Sequence, residues 1–107
     1  MKKTRRGSAA GAVFVDARKE AEFREGHVPG ALSAPAAQAE KAIPQALKVL
    51  ARDRVLVVYC EGGDCQSSLL LAKRLSREGF KDIRVYSGGW AGWTAAGLPV
   101  EKGDGPK

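Results

Sequence analysis

Beyond carboxylates, one histidine and two cysteines are all that the 107-residue chain holds of the ligands zinc usually takes. They fall short of the four-ligand set that zinc usually takes and sit in separate motifs, so no metal is expected. Two cysteines are also too few for the disulfide framework of a small secreted scaffold, and they fit a reducing cytoplasm better. No run approaches the ~18 apolar residues of a membrane span. The start Met1 to Arg6 has the charge of a secretory leader, but the apolar stretch after it ends at Asp16 and uses residues the fold needs. A basic stripe is missing as well. Of the eighteen basic residues, Lys2, Lys3, Arg5 and Arg6 stand ahead of the first strand, leaving fourteen against twelve acidic ones. The formal charge of +6 is thus mostly a solvated end, and neither nucleic acid nor membrane is an expected partner. No internal repeat and no low-complexity segment is present. The 44% apolar content suffices for one domain with a single modest core.

What is present is an alternation of short apolar runs and helical patterns. Val13-Phe14-Val15 is a strand ending at Asp16, and Lys19 to Glu25 a short helix carrying Ala21 and Phe23. Gly26 to Gly30 is a turn cluster around His27, with Ala31-Leu32-Ser33 a possible brief strand. From about 37 to 50, apolar residues at spacings of three and four predict one helix with Pro44 in its first turn. Val55 to Tyr59 is a strand, Ser67 to Glu78 a helix stopped by Gly79, and Ile83 to Tyr86 a strand. A last short helix carries Trp90 and Trp93, whose spacing of three favours core packing over a ligand box. This order implies a three-layer α/β domain over residues 13–100 on a mainly parallel sheet, with 1–12 a basic flexible N-terminus and 101–107 a flexible tail. Ligands of such domains bind at the carboxyl ends of strands.

Cys60 lies at such an end, between the run Val55-Leu56-Val57-Val58-Tyr59 and the loop Glu61-Gly62-Gly63-Asp64-Cys65-Gln66, before the helix that opens at Ser67. The glycines let the backbone curl around the sulfur, and the helix start aims N–H groups at the loop. Both favour the thiolate, which is the reactive form. His27, set between Gly26 and Val28-Pro29-Gly30, favours a structural role, with catalysis second. Asp16 and Arg18 favour a local ion pair over substrate contacts.

The residues resemble the rhodanese-like domains. Val15-Asp16-Ala17-Arg18, Glu22-Phe23, Gly26-His27-Val28-Pro29-Gly30-Ala31 and Pro35 resemble the family's amino-terminal signature. Val57-Val58-Tyr59-Cys60 resembles its active-site strand and nucleophile, and Gly79-Phe80, Val85-Tyr86, Gly88-Gly89-Trp90, Trp93 and Gly97-Leu98-Pro99-Val100 its carboxyl-terminal pattern. The resemblance covers about Val13 to Val100. It implies a five-stranded parallel sheet flanked by helices, and sulfur transfer through a cysteine persulfide without a cofactor.

The loop departs from the family. Counted from Cys60 as the first, the sixth residue, where an arginine is typical, is Cys65; aligned backward from Gly79-Phe80, the stretch is two residues longer than usual and Ser67 stands opposite the arginine. Either way the cation is missing, while Glu61 and Asp64 add negative charge, so thiosulfate use is expected to be weak and a phosphatase reading weaker still. The expected function is a sulfurtransferase in which Cys60 takes sulfur from thiosulfate, a polysulfide or a persulfide and passes it to a thiol or protein acceptor. The amides of Glu61 to Gln66 would then stabilise the persulfide. Two thiols five residues apart could approach the ~5.5 Å Cα separation of a disulfide, so Cys65 is either a resolving thiol or a mere replacement. The alternative is a non-catalytic module that binds a protein or senses redox state through Cys60 and Cys65.

Overall fold

The computed structural model describes residues 12–63 and 65–104. The basic N-terminus up to Gly11, any further strand within it, Asp64 of the loop and residues 105–107 lie outside the described residues. The elements run β1 (Ala12–Asp16), α1 (Glu20–Glu25), β2 (Leu32–Ser33), α2 (Ala36–Ala39), α3 (Gln45–Lys48), β3 (Val55–Tyr59), α4 (Ser67–Arg77), β4 (Asp82–Val85) and α5 (Gly89–Ala95). Among the described residues the sheet has four strands rather than five, all parallel, in the order β2-β1-β3-β4. No helix among the described residues is long and apolar enough to cross a membrane.

Side chains alternate across a strand, and here the alternation builds two cores. Val15, Leu56, Val58 and Cys60 face one way, onto Leu71 and Leu75 of α4, Leu47 of α3, and Ala36 and Ala39 of α2. Tyr59 faces the other way with Phe14, Phe23 of α1, and Trp90 and Trp93 of α5. Each fully buried leucine or valine stabilises by about 1.5–3 kcal/mol. The tryptophans serve packing, as their spacing suggested: Trp93 meets Phe14 edge-on at 5.6 Å and Tyr86 at 6.4 Å between ring centres. On α4 the inward row is Ser68, Leu71 and Leu75, while Leu69 and Leu70 are exposed.

The single helix expected over 37–50 is two short ones. Pro44 is not inside a first turn but caps α3, at φ −57° and ψ 145°. Proline lacks an N–H and its ring obstructs the carbonyl four residues back, so the chain leaves the helix and restarts. Leu47 and Ile43 still reach the same core.

The end of the fold also lies further along than Val100. Glu101 forms an antiparallel bridge with His27, the two exchanging N–H···O bonds of 2.8 and 2.9 Å. Gly103 donates to the Arg24 carbonyl. Glu101 Oε1 accepts from the Gly30 N–H at 3.0 Å and lies 3.3 Å from His27 Nε2. The Gly30 N–H, followed by His27, holds the Glu101 carboxyl below the usual carboxylate range. A depressed carboxylate contributes fully above its unfolded value and loses that contribution as pH falls through its folded one. Acidification past the ordinary carboxylate range should therefore open this clasp, seen as faster hydrogen exchange at the Gly30 and Glu101 amides than expected from pH alone. Glu101→Gln should remove that pH dependence, and an unchanged profile in the variant would place its origin elsewhere.

Candidate active site

The chain order reverses between β1 and β3: from β1 the sheet continues to β2 on one side and to β3 on the other. A crevice opens outside the carboxyl ends of strands at such a point. Asp16 pairs with Tyr59 in register, and the Ala17 N–H donates to the Tyr59 carbonyl at 2.8 Å, so Arg18 and Cys60 leave the sheet side by side.

Cys60 is 3% exposed, and its sulfur is bonded to that of Cys65 in a disulfide, with the two Cα atoms 6.5 Å apart. Ser68 Oγ lies 3.5 Å from Cys60 Sγ. A disulfide sulfur carries no hydrogen, so the serine hydroxyl is the donor. Ser67 and Ser68 open α4, whose first N–H groups have no partner within the helix and face the loop. The Cys65 N–H turns back to the Gly62 carbonyl at 3.2 Å. The expected ring of amides around the Cys60 sulfur is at least that one donor short.

The loop is clamped to the start of α5. Trp90 N–H donates to the Cys60 carbonyl at 2.8 Å and Ala91 N–H to the Glu61 carbonyl at 2.9 Å. This contact, rather than access of amides to sulfur, is what requires glycine at position 62: a Cβ there would strike the Gly88 carbonyl oxygen, and its φ of +118° is hostile to other residues. Gly63 also has a positive φ, +61°, but a Cβ would meet nothing within 4 Å. Gly62→Ala should therefore cost about 2–4 kcal/mol and Gly63→Ala about 1 kcal/mol, read by chemical denaturation. The opposite ranking would contradict the packing of the loop on α5.

Arg18 and Asp16 are a buried pair. Asp16 is fully buried and Arg18 6% exposed, with Nη2 to Oδ2 at 2.9 Å, Nε to Oδ1 at 3.1 Å and the Arg18 N–H to Oδ1 at 2.8 Å. Arg18 also donates to the Gly26 carbonyl at 2.6 Å and lies over the Trp90 ring, 4.7 Å from its centre. Its Nη1 is 3.7 Å from Glu61 Oε1, a long contact to a half-exposed carboxylate. The guanidinium is thus close to the loop but engaged elsewhere. Beside it, burial and then the Asp16 charge push the Tyr59 phenol far above its ordinary range, so the hydroxyl stays protonated while accepting the Val28 N–H.

Two cavities flank the disulfide. One of about 240 Å³ lies among Ala17, Arg18, Lys19, Pro35, Cys60, Cys65 and Ser67. The other, about 210 Å³, lies among Cys60, Gly62, Gly63, Cys65, Gln66, Ser68 and Tyr86. Of the sequence candidates, Cys60, Glu61, Gly62, Gly63, Cys65, Gln66 and Ser67 meet around these spaces, with Arg18 at one of them. His27 does not join them. It is fully buried, stacked 3.8 Å from Phe23, with Nδ1 2.7 Å from the Phe23 carbonyl, on the face of the sheet opposite Cys60. Ser68, Lys19 and Trp90 were missed by the sequence reading. A helix start beside Cys60 was a usable signal for Ser68; no local pattern marks the other two. Among the described residues no three His, Cys, Asp or Glu side chains gather as a metal site would need.

The profile of the rhodanese-like domain matches residues 2–96, nearly the whole chain. The chain belongs to the rhodanese-like domain family. An HTH-type transcriptional regulator of Mycobacterium tuberculosis is 34% identical over 99 residues, covering 92% of this chain and 42% of the regulator. A tRNA uridine(34) hydroxylase of Pectobacterium carotovorum is 33% identical over 96 residues, covering 83% and 26%. The crystal structure of a thiosulfate sulfurtransferase from Pseudomonas aeruginosa superposes with a TM-score of 0.72 at 27% identity, over 94% of this chain and 19% of that one. The rhodanese-like domain described here spans less than half the length of each of these proteins, whose names denote different activities.

Proposed function

We propose that this rhodanese-like domain is a sulfurtransferase, with Cys60 in its reduced form taking up sulfane sulfur as a persulfide. The observation that carries the reading is the placement of the Cys60 sulfur. It stands at the carboxyl end of β3 where the chain order reverses, bordered by two cavities, under the Ser68 hydroxyl and the first turn of α4. A hydroxyl donor and unpartnered N–H groups stabilise a sulfur anion, whether thiolate or persulfide. Attack on a sulfane sulfur and attack by an acceptor thiol are both thiolate displacements, so no base is required.

Donor preference follows from charge. The loop place typical of arginine holds Cys65, and the Arg18 guanidinium is engaged by Asp16 and Gly26. Lys19 remains at the rim of one cavity, opposed by Glu22 and Glu61. Singly charged or neutral sulfane donors, such as short hydropolysulfides and persulfides, should thus load Cys60 better than the thiosulfate dianion. The test is mass spectrometry of the reduced Cys65→Ser protein, in which no disulfide can close, after incubation with thiosulfate, mercaptopyruvate or a polysulfide, where a gain of about 32 Da on a Cys60 peptide supports transfer.

The disulfide itself favours a second reading, a redox-sensing module whose state is the Cys60–Cys65 bond. A reversible change of about 2 Da in wild type, with no sulfur gained from any donor by wild type or by a Cys65→Ser variant, would select it.

A further inference from the structure

Sulfur transfer by Cys60 leaves Cys65 without a task, yet the fold brings its sulfur into bonding contact with the nucleophile. We propose that the domain is a sulfane-sulfur reductase: Cys65 resolves the Cys60 persulfide, releasing hydrosulfide and leaving the disulfide. The proposal rests on the reading of Cys60 as sulfur acceptor and adds a second chemical step to it.

The loop is built to close. A Cα separation of 6.5 Å lies within the range disulfides occupy. The turn that achieves it places only glycines, 62 and 63, at positive φ, and no other residue type among the described residues takes such a conformation. The Cys60 end is fixed on α5 through the Trp90 and Ala91 amides, and the Cys65 end is held to Gly62. Cys60 and Cys65 border both cavities, so one sulfur-bearing wall separates two spaces open to small molecules.

In the step itself the Cys65 thiolate attacks the inner sulfur of Cys60–Sγ–SH. The Sγ–Sγ bond forms, the bond from Cys60 Sγ to the outer sulfur breaks, and the outer sulfur leaves with that electron pair and its proton as HS⁻. The sulfane sulfur gains two electrons and each cysteine loses one. A dithiol reductant then attacks the disulfide and closes its own, returning both cysteines as thiols. A tethered thiol five residues away has an effective concentration in the millimolar range or above, so it outruns a dilute external acceptor.

The test uses reduced wild type, Cys65→Ser and Cys65→Ala, freed of other thiols under nitrogen and given thiosulfate, or mercaptopyruvate should loading be slow. Their co-products are sulfite and pyruvate, so any hydrosulfide comes from the outer sulfur. Wild type should release about one hydrosulfide per chain and end about 2 Da lighter than its reduced form. Both variants, shown folded by circular dichroism, should keep the added sulfur and release at least about tenfold less. Wild type that holds the added sulfur as the variants do overturns the resolving step alone. Folded variants that take up no sulfur from thiosulfate, mercaptopyruvate or a polysulfide overturn the acceptor reading, and this one with it.

Discussion

Cys60→Ser will take up no sulfur from any donor, with loading reduced by at least about a thousandfold. A serine hydroxyl is not ionised near neutral pH, and neither His27, on the far face of the sheet, nor the Tyr59 phenol, which stays protonated, can activate one. The exchange is close to isosteric at a buried position, and the backbone bond from Trp90 N–H to the residue-60 carbonyl is unaffected. The variant should therefore fold, and Ser68 can still donate to the new hydroxyl. Intact-mass analysis read beside a thermal melt checks both halves. Sulfur uptake by the Cys60→Ser variant at the level that Cys65→Ser reaches would remove Cys60 from the chemistry.

Asp16→Ala will be among the most destabilising single changes, at about 3–5 kcal/mol, because it leaves the Arg18 charge buried without its counter-ion. For a domain of this size that lowers Tm by more than about 10 °C. Four hydrogen bonds from Arg18 to one carboxylate end together, and the guanidinium over Trp90 loses the anchor that holds it away from Glu61. Replacing both partners, Asp16→Ala with Arg18→Met, should recover much of the loss, since no buried charge is then left. If the double variant melts no higher than Asp16→Ala, the pair is not the source of the effect.

How far the site could be read from sequence depended on the reach of each interaction. Val55–Tyr59 was plain because a run of five β-branched, leucine and aromatic residues buried in the middle of a sheet leaves a continuous signal. Asp16 with Arg18 was plain because the partners are two residues apart. The stretch 37–50 misled because two short helices on one core reproduce the three-and-four spacing of a long one, and only Pro44 separates them. The clamp of Trp90 on Cys60 and the bridge of Glu101 to His27 join residues thirty and seventy-four positions apart, and nothing in either segment names its partner. The loop glycines were recognised, but their reason was not: the crowding at Gly62 comes from Gly88, which enters from another element.

Among the described residues the sheet is entirely parallel, so each strand pairs across a crossover, and Ala12 meets Val55 across the intervening helices. Contacts of that separation form slowly, because the chain must close a long loop before anything is gained. The Cys60–Cys65 bond is the opposite case, spanning five positions, and closing so short a loop takes well under a microsecond. An oxidant met before the domain has folded can therefore join the two sulfurs while β1 and β3 are still apart. Oxidation of this pair is thus no certificate of the native state, whereas the thiolate set against Ser68 and the Trp90 clamp exists only once β3 is seated between its neighbours. A newly made chain oxidised before it folds would carry a closed thiol pair before it has a site, and only reduction after folding would then set a free Cys60 sulfur against Ser68.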